Sequence, residues 1–140
     1  MRYWAEAPPH QAMVGSSQHV GLDLATLEEV TIPGMEYVEV DFGVVLEPPA
    51  GHWLMMTSRS STFKRWGIIL TNGVGVIDPA YCGANDTVKG LFYNCNPEDV
   101  TIPKGTRLVQ IIPMPLKFDQ VWHYPHKPSA EDRGGIGSTG

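Results

Sequence analysis

The sequence predicts an all-β protein of one domain, a sandwich or barrel of short strands. Three observations carry this. From residue 20 onward, short apolar runs alternate with turn signals. No window holds a sustained helical period, and no internal repeat is visible. The 15 glycines and 12 prolines are spread along 140 residues, as turns between many strands require.

The elements follow in order. Residues 1–19 are mixed and polar, with Pro8-Pro9 and Gly15-Ser16-Ser17, and read as an arm or edge segment. Met35 to Phe42 approximates the period of two of a strand with one buried face. Pro33-Gly34 precedes it and Pro48-Pro49-Ala50-Gly51 follows. Trp53 to Thr57 is a further strand. Ser58 to Trp66 is polar and basic without alternation, and suits one or two helical turns. Gly67 to Leu70 and Val74 to Ile77 read as strands split by Asn72-Gly73. Thr87 to Tyr93 returns as a strand, so residues 74–93 suggest a long hairpin. Val100 to Pro103 leads to a turn at Lys104-Gly105. Leu108 to Phe118 is the last apolar run, and Pro113 and Pro115 place it at an edge or leaving the sheet. Residues 123–140 hold almost nothing apolar and are expected to form a mobile tail on a domain of residues 1–122.

Composition narrows the function. With 42% hydrophobic and 18% charged residues, the chain is globular. A net charge of -5 without a basic face argues against a nucleic-acid partner. No apolar run nears the roughly 20 residues that span a bilayer, so no membrane role is expected. The start lacks the apolar core of a signal peptide, and the expected place is the cytoplasm, a host's if the source is viral or phage. Cys82 and Cys95 read as free thiols. His10, His19, His52, His123 and His126 lack metal-site spacing and read as surface or loop residues.

Five segments concentrate chemistry. They are Val20-Gly21-Leu22-Asp23-Leu24, Ser58 to Ile68, Asn72 to Gly83, Lys104 to Ile112, and Arg133-Gly134-Gly135-Ile136-Gly137-Ser138-Thr139-Gly140. Taken singly, Asp23 is a turn carboxylate, Ser58–Trp66 a solvated basic loop, Asp78 a turn residue before Pro79, Tyr81 a core side chain, and Gln110 a polar group on an edge strand. Ser60, at the start of a helical turn, also suits a phosphate, and Arg59 can add charge-assisted bonds. The last segment is no Walker A loop, since no lysine precedes Ser138.

Together and in this order, the five segments resemble the motifs of the trimeric dUTPases, from Val20 to Gly140. The first is similar to AGxDL, the second to PRSGLAxKxGI, the third to GxIDxxYxG, the fourth to GxRxAQ and the fifth to RGxGGFGSTG. The resemblance implies a jelly-roll-like β-barrel with at most one short helix, a homotrimer with active sites between subunits, and Mg2+ as cofactor. It implies hydrolysis of dUTP to dUMP and pyrophosphate, which keeps uracil out of DNA and supplies dUMP. Asp78 would activate the attacking water. Asp23 would act on the metal indirectly, through water or phosphate. Arg59, Ser60, Ser61 and Gln110 would meet phosphates. Asn72, Val76, Ile77 and Gly83 would line the base site, with hairpin backbone reading uracil. Tyr81 would pack beneath the deoxyribose, where a 2′-hydroxyl would clash. Arg133, Gly135, Ile136, Gly137 and Ser138 would close over the nucleotide.

Departures are visible. Ser58 and Ser61 replace the usual proline and glycine, Ala84 to Thr87 lengthens the third segment, Arg133 lies closer than usual to Gly134-Gly135, and Ile136 replaces the aromatic that stacks on uracil. Two alternatives stand beside this reading. Arg59-Ser60-Ser61, Ile77-Asp78-Pro79 and Phe92-Tyr93-Asn94 are also similar to dCTP deaminases of the same superfamily, but Gly90-Leu91 stands where those enzymes carry an essential glutamate. The other is a regulatory binding protein on the same scaffold, which retention of Asp23, Ser60, Asp78, Tyr81, Gln110 and Arg133 disfavours.

Overall fold

The computed structural model describes residues 1–5, 13–14 and 20–117. The 123–140 tail and most of the 1–19 arm lie outside them, as do His10, His19, His123, His126, Arg133, Gly135, Ile136, Gly137 and Ser138. The described strands are β1 (Arg2–Ala5), β2 (Met13–Val14), β3 (Leu22–Ala25), β4 (Val30–Ile32), β5 (Tyr37–Glu47), β6 (His52–Ser58), β7 (Ile68–Leu70), β8 (Val74–Ile77), β9 (Thr87–Asn94), β10 (Val100–Ile102) and β11 (Arg107–Pro115). One helical turn, α1 (Thr62–Trp66), falls inside the polar basic segment that lacked alternation.

Two main sheets enclose the core. One runs β1-β5-β9-β7 and the other β2-β3-β11-β6-β8, while β4 pairs with β10 in a two-stranded ribbon. The arrangement is jelly-roll-like, but the pairings among the described residues do not close it into a barrel. Alternation explains which side chains enter the core. Leu54 and Met56 of β6 point inward with Ile111 of β11, and Phe92 of β9 meets Phe42 of β5 edge to face at 6.4 Å.

β5 runs past Phe42, where the period of two ends in sequence, through Val44, Val45 and Leu46, all buried. A bulge explains the mismatch. The register with β9 slips between Asp41 and Val45, and Gly43 takes a left-handed φ of 59°. The left-handed backbone favours glycine, and a Cβ at Gly43 would also stand 2.3 Å from Leu27 Cδ1 and push that side chain aside.

Two expectations change in the structure. Residues 74–93 are not a hairpin, because β8 pairs with β6 while β9 has both edges taken by β5 and β7. Residues 78–86 therefore cross from one sheet to the other. β11 is an inner strand rather than an edge, since β3 and β6 flank it. Its prolines still obey the rule behind the expectation. Pairing with β3 ends at Ile111, while Pro113 and Pro115 face only β6, leaving the missing N–H groups on an open side.

Asn94 ties the lower end of the fold together and is fully buried. Its amide donates to the carbonyls of Ile32 and Glu98, both at 2.9 Å, and its Oδ1 accepts from Asn96 N–H at 2.9 Å. Asn96 in turn donates to the Trp66 carbonyl at 3.0 Å, next to the left-handed Gly67 that ends α1.

Candidate active site

The sequence-selected residues fall into two clusters. The first surrounds a cavity of about 230 Å³ at β8, the outer strand of its sheet, lined by Met56, Asn72, Gly75, Val76, Ile77, Asp78, Tyr81, Val88 and Lys89. An outer strand leaves peptide N–H and C=O groups unpaired on one side, and such groups can match a base edge of fixed donor and acceptor order. Alternation along β8 turns Gly75 and Ile77 inward and Val74 and Val76 outward. A Cβ at Gly75 would meet Met56 Cε at 2.8 Å and Met56 Cβ at 3.1 Å, so a larger residue here would displace the Met56 side chain that lines the cavity. Asp78 follows β8 directly and is exposed, and its carbonyl accepts from Tyr81 N–H at 3.0 Å. Tyr81 is 39% exposed, so it is not a core side chain.

Gly83 is not among the residues lining this cavity. Its N–H already donates to Asp86 Oδ2 at 2.7 Å in a local turn of the lengthened segment. Met56, Val88 and Lys89 line the cavity without having stood out in the sequence. Lys89 was legible in part, since alternation in β9 turns it away from the buried Val88 and Gly90. Its ammonium lies 3.3 Å from Glu39 and 3.9 Å from Asp41, and the Glu39 hydrogen bond above all holds it beyond the usual lysine range.

The second cluster gathers around Asp23 on β3. Its carboxylate meets Arg59 Nε at 2.9 Å and Arg107 at 3.3 Å. Asp23, Gln110 and Thr57 stand in register across β3, β11 and β6, and Gln110 donates to Thr57 Oγ1 at 3.3 Å. The loop before α1 docks on β11, where the Leu108 carbonyl accepts from Arg59 N–H at 3.0 Å and from the buried Thr62 hydroxyl at 2.7 Å. This leaves Ser60 and Ser61 exposed at the tip. Arg59, Ser61, Arg65, Lys104 and Arg107 border a polar cleft of about 260 Å³. Arg65 also stacks on Trp66, 5.2 Å from the ring centroid. Such a cleft suits an anion.

Neither Asp23, Arg59, Ser60, Ser61 nor Gln110 lines the β8 cavity. The described residues contain no group of three or more His, Cys, Asp or Glu able to hold a metal. That donor set fits a cation carried by a triphosphate and reached through water, because Mg2+ keeps several waters and needs few carboxylates. A side chain at position 90 would press on buried neighbours. A Cβ on Gly90 would lie 3.0 Å from Phe92 Cε2 and 3.3 Å from Leu70 Cδ1. No helix among them is long and apolar enough to cross a membrane.

Residues 9–140 match the protein family described as dUTPase. The chain is 37% identical over 126 residues to an SPbeta prophage-derived deoxyuridine 5'-triphosphate nucleotidohydrolase of Bacillus subtilis, covering 85% of this chain and 82% of the relative. It is 32% identical to the deoxyuridine 5'-triphosphate nucleotidohydrolase of Paramecium bursaria Chlorella virus 1, covering 91% and 88%. Among solved structures, the dUTPase from Streptococcus mutans superposes with a TM-score of 0.78 at 25% identity, covering 85% of this chain and 98% of that one. A Staphylococcus bacteriophage 80alpha dUTPase with dUpNHpp shares the fold, with a TM-score of 0.80 at 19% identity over 99% of this chain and 97% of that one.

Proposed function

Because the chain belongs to the dUTPase family, we propose that it hydrolyses dUTP to dUMP and pyrophosphate as a dUTP diphosphatase. The observation that carries this is the β8 cavity, where Asn72, Val76, Asp78 and Tyr81 converge beside exposed strand backbone. Peptide groups of β8 and Asn72 bind the uracil edge, and Tyr81 packs under the deoxyribose. Asp78 accepts a proton from a water that attacks the α-phosphorus in line. The bond from that phosphorus to the oxygen bridging the β-phosphate breaks, and pyrophosphate leaves. Arg59, Ser60, Ser61 and Gln110 hold the phosphates. Asp23 orients the two arginines and would reach the cofactor through water. When bound, Mg2+ neutralises triphosphate charge.

The two clusters belong to different cavities of one chain, which favours sites completed by a second copy. A homotrimer supplies that. The outer face of the five-stranded sheet presents Trp53 and Met55 beside Ile112, Met114 and the exposed Val74 and Val76, an apolar surface suited to a neighbouring subunit. Residues 1–122 form the catalytic domain in this reading. Residues 123–140 form the segment whose Arg133, Gly135, Ile136, Gly137 and Ser138 close over the nucleotide. The enzyme works in the cytoplasm, a host's if the source is viral or phage.

Incubation with each deoxynucleoside triphosphate and Mg2+ tests the assignment. Pyrophosphate from dUTP alone supports it, and ammonia from dCTP would point to the deaminase instead. Position 90 weighs against the deaminase, because Gly90 offers no side chain to shuttle a proton.

A further inference from the structure

We infer that Asp41 and Thr87 are positioning residues for Tyr81, holding its ring at the sugar side of the cavity. The inference rests on the reading that Tyr81 faces the deoxyribose, and deepens it.

The crossing segment 78–86 is folded by its own short-range bonds. Tyr81 N–H donates to Asp78, Gly83 N–H to Asp86, and Asp86 N–H back to Gly83. Such turns shape the segment without placing it against the sheets. The Tyr81 ring is too exposed for packing alone to hold it. Its hydroxyl donates to the carbonyl of Thr87 at 3.0 Å, on the first residue of β9. The Thr87 hydroxyl then donates to Asp41 Oδ2 at 2.8 Å, on β5. Asp41 Oδ1 accepts from Gly43 N–H, also at 2.8 Å.

Both Asp41 oxygens are thus committed, one to Gly43 within the β5 bulge and one to Thr87 on β9. The bulge is the rigid anchor. Gly43 sits in its left-handed conformation against Leu27, and Phe42, Val44 and Leu46 around it are fully buried. Bulges re-aim side chains beside functional sites, and this one aims a carboxylate at the strand that receives Tyr81. Lys89 lies over the same carboxylate and Glu39, offsetting their charge without displacing the Thr87 bond. The path Gly43–Asp41–Thr87–Tyr81 therefore runs from buried backbone to an exposed ring. Its Asp41–Thr87 link is charge-assisted and so stronger than a neutral bond. Without it, the start of β9 keeps only its pairing with Val45 beyond the bulge, and the carbonyl that holds Tyr81 is less firmly placed. The ring then no longer blocks a 2′-hydroxyl.

The test compares kcat/KM for UTP and dUTP, with Tm for each protein. Thr87→Val, isosteric but without the hydroxyl, is expected to raise the UTP/dUTP ratio about 2- to 10-fold, the factor one net hydrogen bond supplies. Asp41→Asn should move it in the same direction. Thr87→Ser, which restores the hydroxyl, should hold the wild-type ratio. Tyr81→Phe should raise the ratio, and adding Thr87→Val to it should raise it little further, because both changes break one path. A structural role alone would lower Tm, or slow both nucleotides equally, and leave the ratio unmoved. If Tyr81→Ala raises the ratio while Thr87→Val does not, the inference is overturned and the sugar reading stands. An unchanged ratio in Tyr81→Ala removes both, and a wild-type protein inert toward dUTP removes the proposed reaction itself.

Discussion

Asp23 holds Arg59 at 2.9 Å, so a guanidinium bordering the polar cleft is already oriented and its charge partly balanced. Two roles for Asp23 predict opposite effects. If it were only a counter-ion, Asp23→Asn would free positive charge at Arg59 and Arg107 and tighten triphosphate binding. If it also reaches the cofactor through water, the same change should lower kcat/KM about 10- to 100-fold, as loss of an outer-sphere metal contact does. We expect the loss. Tighter substrate binding with unchanged kcat would assign Asp23 to the arginines alone.

Asp78 follows a well-paired strand and makes its backbone contact through a carbonyl, so amidation should leave the fold intact. Asp78→Asn should retain dUTP binding and lose about 10² to 10⁴ in kcat, the usual cost of a missing general base. Calorimetric titration with a non-hydrolysable analogue separates binding from turnover. A variant with near-normal kcat would show that the water is activated elsewhere.

Much of this was legible in sequence because it is local. Asn72, Val76, Asp78 and Tyr81 lie on one strand and the turns beside it, so spacing alone brings them together. The pairing of Asp23 with Arg59 and Arg107 was not legible, since it depends on β3 and β11 lying side by side. The Thr87–Asp41 bond was hidden for the same reason, and further by a bulge that breaks alternation at Gly43. The apparent 74–93 hairpin failed because local pattern marks strands but not partners. Lys89 reaches the cavity only because β9 lies across from β8, a relation between two sheets that spacing along the chain does not show.

Asn94 offers a test of the fold apart from activity. Asn94→Leu keeps a similar volume but strands the Ile32 and Glu98 carbonyls and the Asn96 donors. Leaving one buried and several part-buried groups unpaired should cost about 1–3 kcal/mol in total, read from chemical or thermal unfolding. A loss below about 0.5 kcal/mol would mean that water replaces the side chain without penalty.

Assembly and closure can be separated in one protein. Light scattering of the full chain should give three times the 15.4 kDa chain mass. Deleting residues 131–140 should preserve that mass and Tm while lowering kcat sharply, since a closing segment excludes water and completes the site. An active monomer would contradict the shared site, and full turnover by the truncated protein would reduce the tail to a linker.

Attack of water on the α-phosphorus of dUTP leaves a new oxygen whose position can be read directly. Hydrolysis in water enriched in oxygen-18, followed by mass spectrometry of both products, should yield dUMP carrying one labelled oxygen and unlabelled pyrophosphate. Label in pyrophosphate would mean that the β-phosphorus is attacked, and dUTP left intact under conditions where the protein is folded would mean that the protein is not a dUTP diphosphatase.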